Sequence, residues 1–284
     1  MSIADTQKVQ IVIDSTADMT PATIKELGLE MVPLTVLIGD QAYRDGIDIT
    51  SEEFYLRLPT LSKLPTTSQP SPGLFLKAYE KGVNEGRSVL SIHLSAKLSG
   101  TYANAVVAAR NFPEGQVRVF DTQQVSAGIV FFIQSAVEMA RSGKTIDDIE
   151  AEMTRMRGLV KIIATVDTLE YLHKGGRIGG LKSFFGSLLS VKPILQLKDG
   201  EVQPLEQVRT RSKALQRVAE LTKSMGKLDR LAIMHAADPN GANELVNLLA
   251  PFFPKEKMYI SELGPVIGAH AGPRTIGIGV QKAG

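Results

Sequence analysis

The chain of 284 residues contains no cysteine, which removes disulfides, thiol nucleophiles and Cys-ligated zinc and fits a reducing compartment, so a cytoplasmic protein is expected. Histidine is scarce as well. The four His residues never fall at metal-ligand spacing and no carboxylate pair stands beside one, so no metal site is expected. Lys and Arg number 32 against 30 Asp and Glu, a net charge of +2, and they are scattered without a basic run or an aromatic-interleaved stripe. That pattern gives no reason to expect a nucleic-acid partner. The most apolar stretch, residues 125–140, is interrupted by Gln134, Ser135 and Glu138 and is too short to span a bilayer, so stable membrane insertion is not expected. Residues 1–18 have no cationic n-region of the kind that opens a signal peptide.

What remains is an ordinary globular composition, 43% hydrophobic and 22% charged, in a chain long enough for two medium-sized domains. The first half alternates. Residues 9–14 form a short apolar run ending in polar residues, as buried parallel strands do, and Thr20-Pro21 then pairs an N-cap with proline at the first helical position. Residues 31–38 read as one strand, Thr50-Ser51-Glu52-Glu53 as a capping box, and strand and helix alternate through 88–94, 100–110, 117–120 and 125–141. The second half differs, because Asp199-Gly200 between two apolar runs is a hairpin signal. The expectation is an α/β protein with a mainly parallel, Rossmann-like N-terminal domain over residues 1–158 and a mixed α/β domain over 159–284, with the ligand site between them.

Four polar, turn-rich segments carry the chemistry. Thr66-Thr67-Ser68-Gln69 lies between two prolines and offers hydroxyl donors, although Ser71 beyond it is also explained as a helix cap. Ser99-Gly100-Thr101 opens a helix, where free N–H groups favour an anion. Gly175-Gly176-Arg177-Ile178-Gly179-Gly180 misses the P-loop pattern by one residue, since Leu181 stands where the lysine belongs, and it presents Arg177 on a flexible turn. His270 sits between Gly268 and Gly272-Pro273, where backbone can approach a ligand closely, whereas His93, His173 and His235 read as structural. Three functions remain open on these residues: an anion-holding carrier, a Ser-dependent acyl hydrolase using Ser99 and His270, and a phosphate or nucleotide binder. The G-x-S-x-G elbow of many hydrolases is absent.

Seven motifs, in order and spacing, resemble the DegV family: Asp14-Ser15-Thr16-Ala17-Asp18, Tyr43-Arg44-Asp45-Gly46, Thr67-Ser68-Gln69-Pro70, Leu98-Ser99-Gly100-Thr101-Tyr102, Leu172-His173-Lys174-Gly175-Gly176-Arg177-Ile178, Lys192-Pro193-Ile194 and Gly264 through Pro273. The resemblance covers nearly the whole chain. It implies a two-domain fold that holds a long-chain fatty acid in a buried tunnel and presents its carboxylate to a fatty acid kinase catalytic subunit, giving an acyl phosphate for phospholipid synthesis. On that resemblance Thr67 and Ser99 hold the carboxylate with His270 beside them, and Ser68, Gly100 and Gly268 adjoin the head group. Arg177 and Arg209, with Arg211 as the alternative to Arg209, would contact the partner or the phosphate. Ser126-Ala127-Gly128 opens a bulky apolar helix with small residues, which suits either close packing or a ligand; the family places this helix beside the tunnel, so Ala127 is expected on its wall. No cofactor is implied beyond the bound fatty acid. One departure is Arg274, where the family often has glycine.

Overall fold

The computed structural model describes residues 8–184 and 191–284. The first sheet is parallel throughout. Its central strand β1 (Val9–Asp14) is buried at every position, as its unbroken apolar run requires when both faces are covered. Thr20 caps α1 (Pro21–Leu27), its hydroxyl accepting from the Thr23 N–H at 3.2 Å. The stretch expected as one strand at 31–38 is two. β2 (Glu30–Val32) joins the parallel sheet, whereas β3 (Thr35–Ile38) pairs antiparallel with β4 (Gln41–Arg44) in a separate three-stranded sheet. Pro33 lies at the break, where it has no N–H to give a ladder.

The capping box forms as expected ahead of α2 (Ser51–Arg57), with Thr50 and Glu53 exchanging backbone and side-chain bonds. The Thr-Ser segment is no loop: it is β5 (Thr66–Ser68), the third strand of the small sheet, beside β3. Then follow α3 (Pro72–Asn84), β6 (Ser88–His93), α4 (Thr101–Ala109) and β7 (Val117–Asp121), completing the parallel sheet in the order β2-β1-β6-β7. Ser71 stands at the N-cap of α3 but makes no side-chain capping bond. The packing is centred on α5 (Ala127–Arg141). Its first two turns are buried on all sides because the helix lies between the parallel sheet and the second sheet, touching strands of both. Each large side chain hidden there, such as Ile129, Phe131 or Phe132, stabilises the join by about 1.5–3 kcal/mol.

After α6 (Ile146–Met156) the chain passes to a six-stranded sheet that starts with β8 (Val160–Thr165). A short α7 (Glu170–Lys174) leads to β9 (Lys192–Lys198) and β10 (Glu201–Val208), the expected hairpin, with Asp199 and Gly200 both at positive φ as its tight turn demands. α8 (Arg211–Ser224), β11 (Leu228–His235), α9 (Pro239–Leu249) and β12 (Met258–Glu262) follow. The Gly-rich tail expected as a turn contains a helix, α10 (Pro265–Ala271), with proline at its first position and Gly272 at φ 79° ending it. β13 (Ile276–Lys282) then enters the middle of the sheet, giving the order β10-β9-β8-β13-β11-β12. Only the β11–β12 pair is parallel. The chain is thus mixed α/β, with a parallel sheet followed by a mixed one.

His93 has the structural role expected of it. Fully buried, its Nδ1 meets Asp14 Oδ2 at 2.9 Å and its Nε2 meets Ser91 Oγ at 2.6 Å. Asp14 also accepts from the Leu94 N–H at 3.0 Å, so this core network holds the carboxyl ends of β1 and β6 together.

Candidate functional site

All four polar segments converge on one cavity between the sheets, of about 140 Å³. Its floor is a cross-strand row. In β8, Ile162 and Ala164 face inward, in register with Leu197 and Leu195 of β9, and Met234 of β11 continues the row. Period-two alternation delivers these side chains, since only every second strand residue reaches one face. α10 covers the floor with Val266, Ile267 and His270, and Leu94, Leu98 and Val125 close the side nearest the parallel sheet.

The four segments bring polar groups into this mainly apolar space. Thr67 points inward from β5 while Thr66 and Ser68, its neighbours on the strand, are exposed on the other face. Its Oγ1 lies 2.7 Å from His270 Nε2. The ring rests on Gly175, where a Cβ would collide with Nδ1, so that glycine provides the close approach its neighbours could not. Arg177 comes next. Its Nε donates to the Leu98 carbonyl at 3.0 Å and its Nη1 to the Gly175 carbonyl at 2.7 Å, which folds the guanidinium back toward the cavity and fixes the segment carrying Ser99. Ser99 Oγ lies 2.8 Å from Thr101 Oγ1 and accepts from the Thr101 N–H at 3.3 Å, at the opening of α4.

The electrostatics favour a neutral imidazole. Burial, with the nearby Arg177 charge, depresses the His270 pKa to about 4. Among the described residues, two buried polar atoms at the cavity make no hydrogen bond of normal geometry, His270 Nδ1 and Ser126 Oγ. Ser126 also holds φ 48°, unusual for a residue with a side chain, at the point where the chain turns into α5.

The structure therefore brings Thr67, Ser99 and His270 together and adds Arg177, which the sequence had suggested for an external contact. Ser68 is turned away, Gly100 is the N-cap of α4 against the Gln69 amide, and Gly268 packs on Phe54 and Tyr55 beneath α10. Ala127 is fully buried with its Cβ near the Gly279 position of β13 and is not among the lining residues, which instead include its neighbours Val125 and Ser126. Arg209 is exposed and in no ion pair among the described residues, whereas Arg211 is tied to Asp167 and Asp238. Arg274 adopts φ 60°, the backbone that a glycine would take freely, and its side chain meets Asp167 at 3.2 Å, outside the cavity lining. The apolar walls were not singled out in the sequence. Alternation at 162, 164 and 166 was the available signal, but it says nothing about which face encloses a space.

Fold and site together define an α/β protein with a mainly apolar slot between two sheets and a polar mouth built from four separate segments. The chain belongs to the DegV family: the family model, described as an uncharacterised protein of the DegV family, matches residues 8–283. A DegV domain-containing protein of Streptomyces coelicolor is 40% identical over 278 residues, covering 96% of this chain and 98% of its own. Among solved structures, a DegV family protein from Thermus thermophilus, described by its fatty acid binding, superposes with a TM-score of 0.91 at 36% identity, over 97% of this chain and 100% of that one. DegV of Bacillus subtilis, described as a fatty acid binding protein, gives 0.88 at 33% identity, again over 97% and 100%. No helix among the described residues is long and apolar enough to cross a membrane.

Proposed function

We propose that this chain binds a long-chain fatty acid in the cavity between its sheets and presents the carboxylate to a fatty acid kinase catalytic subunit, then carries the acyl phosphate. One observation carries this: the cavity is walled mainly by apolar side chains, and Thr67, Ser99, Arg177 and His270, drawn from four separate segments, bring hydroxyls, an imidazole and a cation into it. Such a site matches an amphiphile with one anionic end. Burying the tail contributes about 0.8 kcal/mol per methylene, and the carboxylate must be hydrogen-bonded or its desolvation offsets much of that gain. With His270 neutral, its Nε2–H donates to Thr67 Oγ1, which leaves the Thr67 hydroxyl proton to donate to the carboxylate. Ser99 supplies a second hydroxyl and Arg177 a nearby positive charge. Hydroxyl donors hold the oxygens without covalent commitment, so one of them stays available for phosphoryl transfer by the partner.

The binding of fatty acids by the solved relatives supports the ligand class. For the partner, the support is Arg209, an exposed cation with no ion pair among the described residues. The chain is on this view a carrier and not itself the enzyme; because the kinase would use ATP, the carrier belongs in the cytoplasm. The hydrolase alternative is disfavoured by geometry, since Ser99 pairs with Thr101 and His270 with Thr67, so nucleophile and base are not hydrogen-bonded to each other.

The test is denaturing extraction of the purified protein followed by mass spectrometry, together with thermal shift on adding fatty acids. A fatty acid recovered near one per chain is expected. Recovery of none, with no thermal shift from any acyl length, would refute the proposal.

A further inference from the structure

A second cleft, of about 700 Å³, opens on the other side of α10, between β12, α1 and the turn after β4. Asp18, Asp45 and Ser261 lie at its base, and Met19, Tyr259 and Ile260 along its sides. The charge at the base is unbalanced. Facing the two aspartates are Ser15 and Asp14 from the end of β1, Ser126 before α5, Tyr55 of α2, Tyr259 of β12, Glu262 and the Gly264 and Val266 amides, and none of these is a cation. Among the described residues Lys25 is the single base lining the cleft, and it is exposed. Asp18 Oδ1 accepts from the Gly264 N–H at 2.9 Å and Asp45 Oδ2 from the Ser15 hydroxyl at 2.7 Å; the Ser126 hydroxyl and the Val266 amide also favour the ionised carboxyls, but among the described residues Asp18 Oδ2, Asp45 Oδ1 and Ser261 Oγ make no hydrogen bond of normal geometry. Asp45 is only 2% exposed and Ser261 6%. Buried polar atoms are seldom left unpaired without a reason, and three of them belong to residues lining this cleft.

The consequence for the carboxyls is that burial, the largest effect, raises both; Asp45 is pushed up to about 7. An incoming cation reverses this by favouring the ionised form. The sides of the cleft are suited to a short alkyl group, with Ile260 and Ile47 among the few large apolar side chains left about half exposed. β12 ends its sheet, so among the described residues its outer backbone edge has no partner strand and adds carbonyl acceptors along the cleft.

We propose that this cleft binds an alkylammonium or alkylguanidinium group, with the cation over Asp18 and Asp45 and the alkyl part against Met19, Tyr259 and Ile260. That chemistry is shared by a free amine and by a Lys or Arg side chain on an extended segment laid along β12. The site is separate from the fatty acid cavity and does not rest on that proposal.

The experiment titrates the full-length protein with n-butylammonium and n-butylguanidinium, followed by calorimetry and amide NMR, with n-butanol as the neutral isostere. Saturable binding is expected, about tenfold or more tighter than n-butanol, with proton release detected by comparing buffers of different ionisation heat. Because the cation selects the ionised carboxylates, affinity should increase between about pH 6 and pH 8. Asp45→Asn and Asp18→Asn should each weaken binding by about tenfold. A capped Val-Lys-Val-Lys-Val peptide separates the sources: tighter binding than n-butylammonium assigns the site to a protein segment, weaker binding to a free amine, and either supports the site. Failure of both cations to saturate, affinity no better than n-butanol, or affinity that does not change with pH overturns the proposal. The last two comparisons use the unmodified protein, so the outcome stands even if an aspartate variant does not fold.

Discussion

Replacing Thr67 with Val tests the polar mouth with minimal change of shape. The substitution exchanges Oγ1 for a methyl group and removes the 2.7 Å contact to His270 Nε2. In the ligand-free protein one hydrogen bond is lost and a mostly buried ring nitrogen is left without a partner, a cost of about 1–2 kcal/mol in stability. In the complex the carboxylate also loses a hydroxyl donor. A hydrogen bond to a charged group is worth about 1.5–3 kcal/mol, so the dissociation constant should increase by roughly 10- to 150-fold. Displacement of a fluorescent fatty acid measures the affinity, and denaturant melts of delipidated protein measure the stability. His270→Ala completes the cycle: if the two side chains act as one unit, the double variant should bind better than the sum of the single losses indicates, by about 1 kcal/mol or more. Fully additive losses, or Thr67→Val affinity within about twofold of the parent, would refute the pairing as the basis of head-group recognition.

Other expectations follow from neighbouring residues. The His270 pKa falls from 6.5 to about 4 on folding, so the unfolded chain binds the extra proton between those values. Stability from this residue is therefore complete above about pH 6.5 and lost as pH falls through 4, up to about 3 kcal/mol; urea melts of the parent and His270→Gln should converge on acidification, and parallel curves would contradict the assignment. Ala127→Ile should lower delipidated stability by about 1–3 kcal/mol through crowding against β13, whereas Ala164→Leu should weaken long acyl chains more than short ones. Thermal melts and a chain-length series decide this, and selective loss of long chains with unchanged melting in Ala127→Ile would return that residue to the tunnel wall. Arg209→Ala should keep its bound fatty acid yet lower kinase-dependent acyl phosphate formation by about tenfold, and unchanged turnover with the cognate kinase would exclude Arg209 from the partner contact.

Local chemistry explains what could be read from residue order. The run at β1, the Thr20-Pro21 start, the Thr50–Glu53 capping box and the Asp199-Gly200 turn formed where expected, because each depends on neighbours within a few residues. Candidate head-group residues could be nominated from residue order, since hydroxyls and glycines recur in four turn-rich segments, although each segment is weak by itself. Segments that depend on distant partners were misread. β5 looked like a loop because it is short and polar, and it is a strand only because β3 lies beside it. The tail that contains α10 looked like a turn because glycines dominate it, yet Pro265 starts a helix that packs against α2 and α7.

Sequence by itself determined which residues are fit to bind an anion and that the chain alternates strand and helix, because residue type and period are local properties. Tertiary structure alone decided that Thr67, from a three-residue strand, meets His270 across 203 positions of chain, and that Arg177 turns inward while Ser68 turns out. It also decided that Ala127 packs near Gly279 beside the cavity and that Asp18 and Asp45 line one cleft with no cation facing them among the described residues. The reason is geometric: a cavity is the space left between elements, and its shape and charge depend on how sheets and helices are stacked, which no single segment encodes.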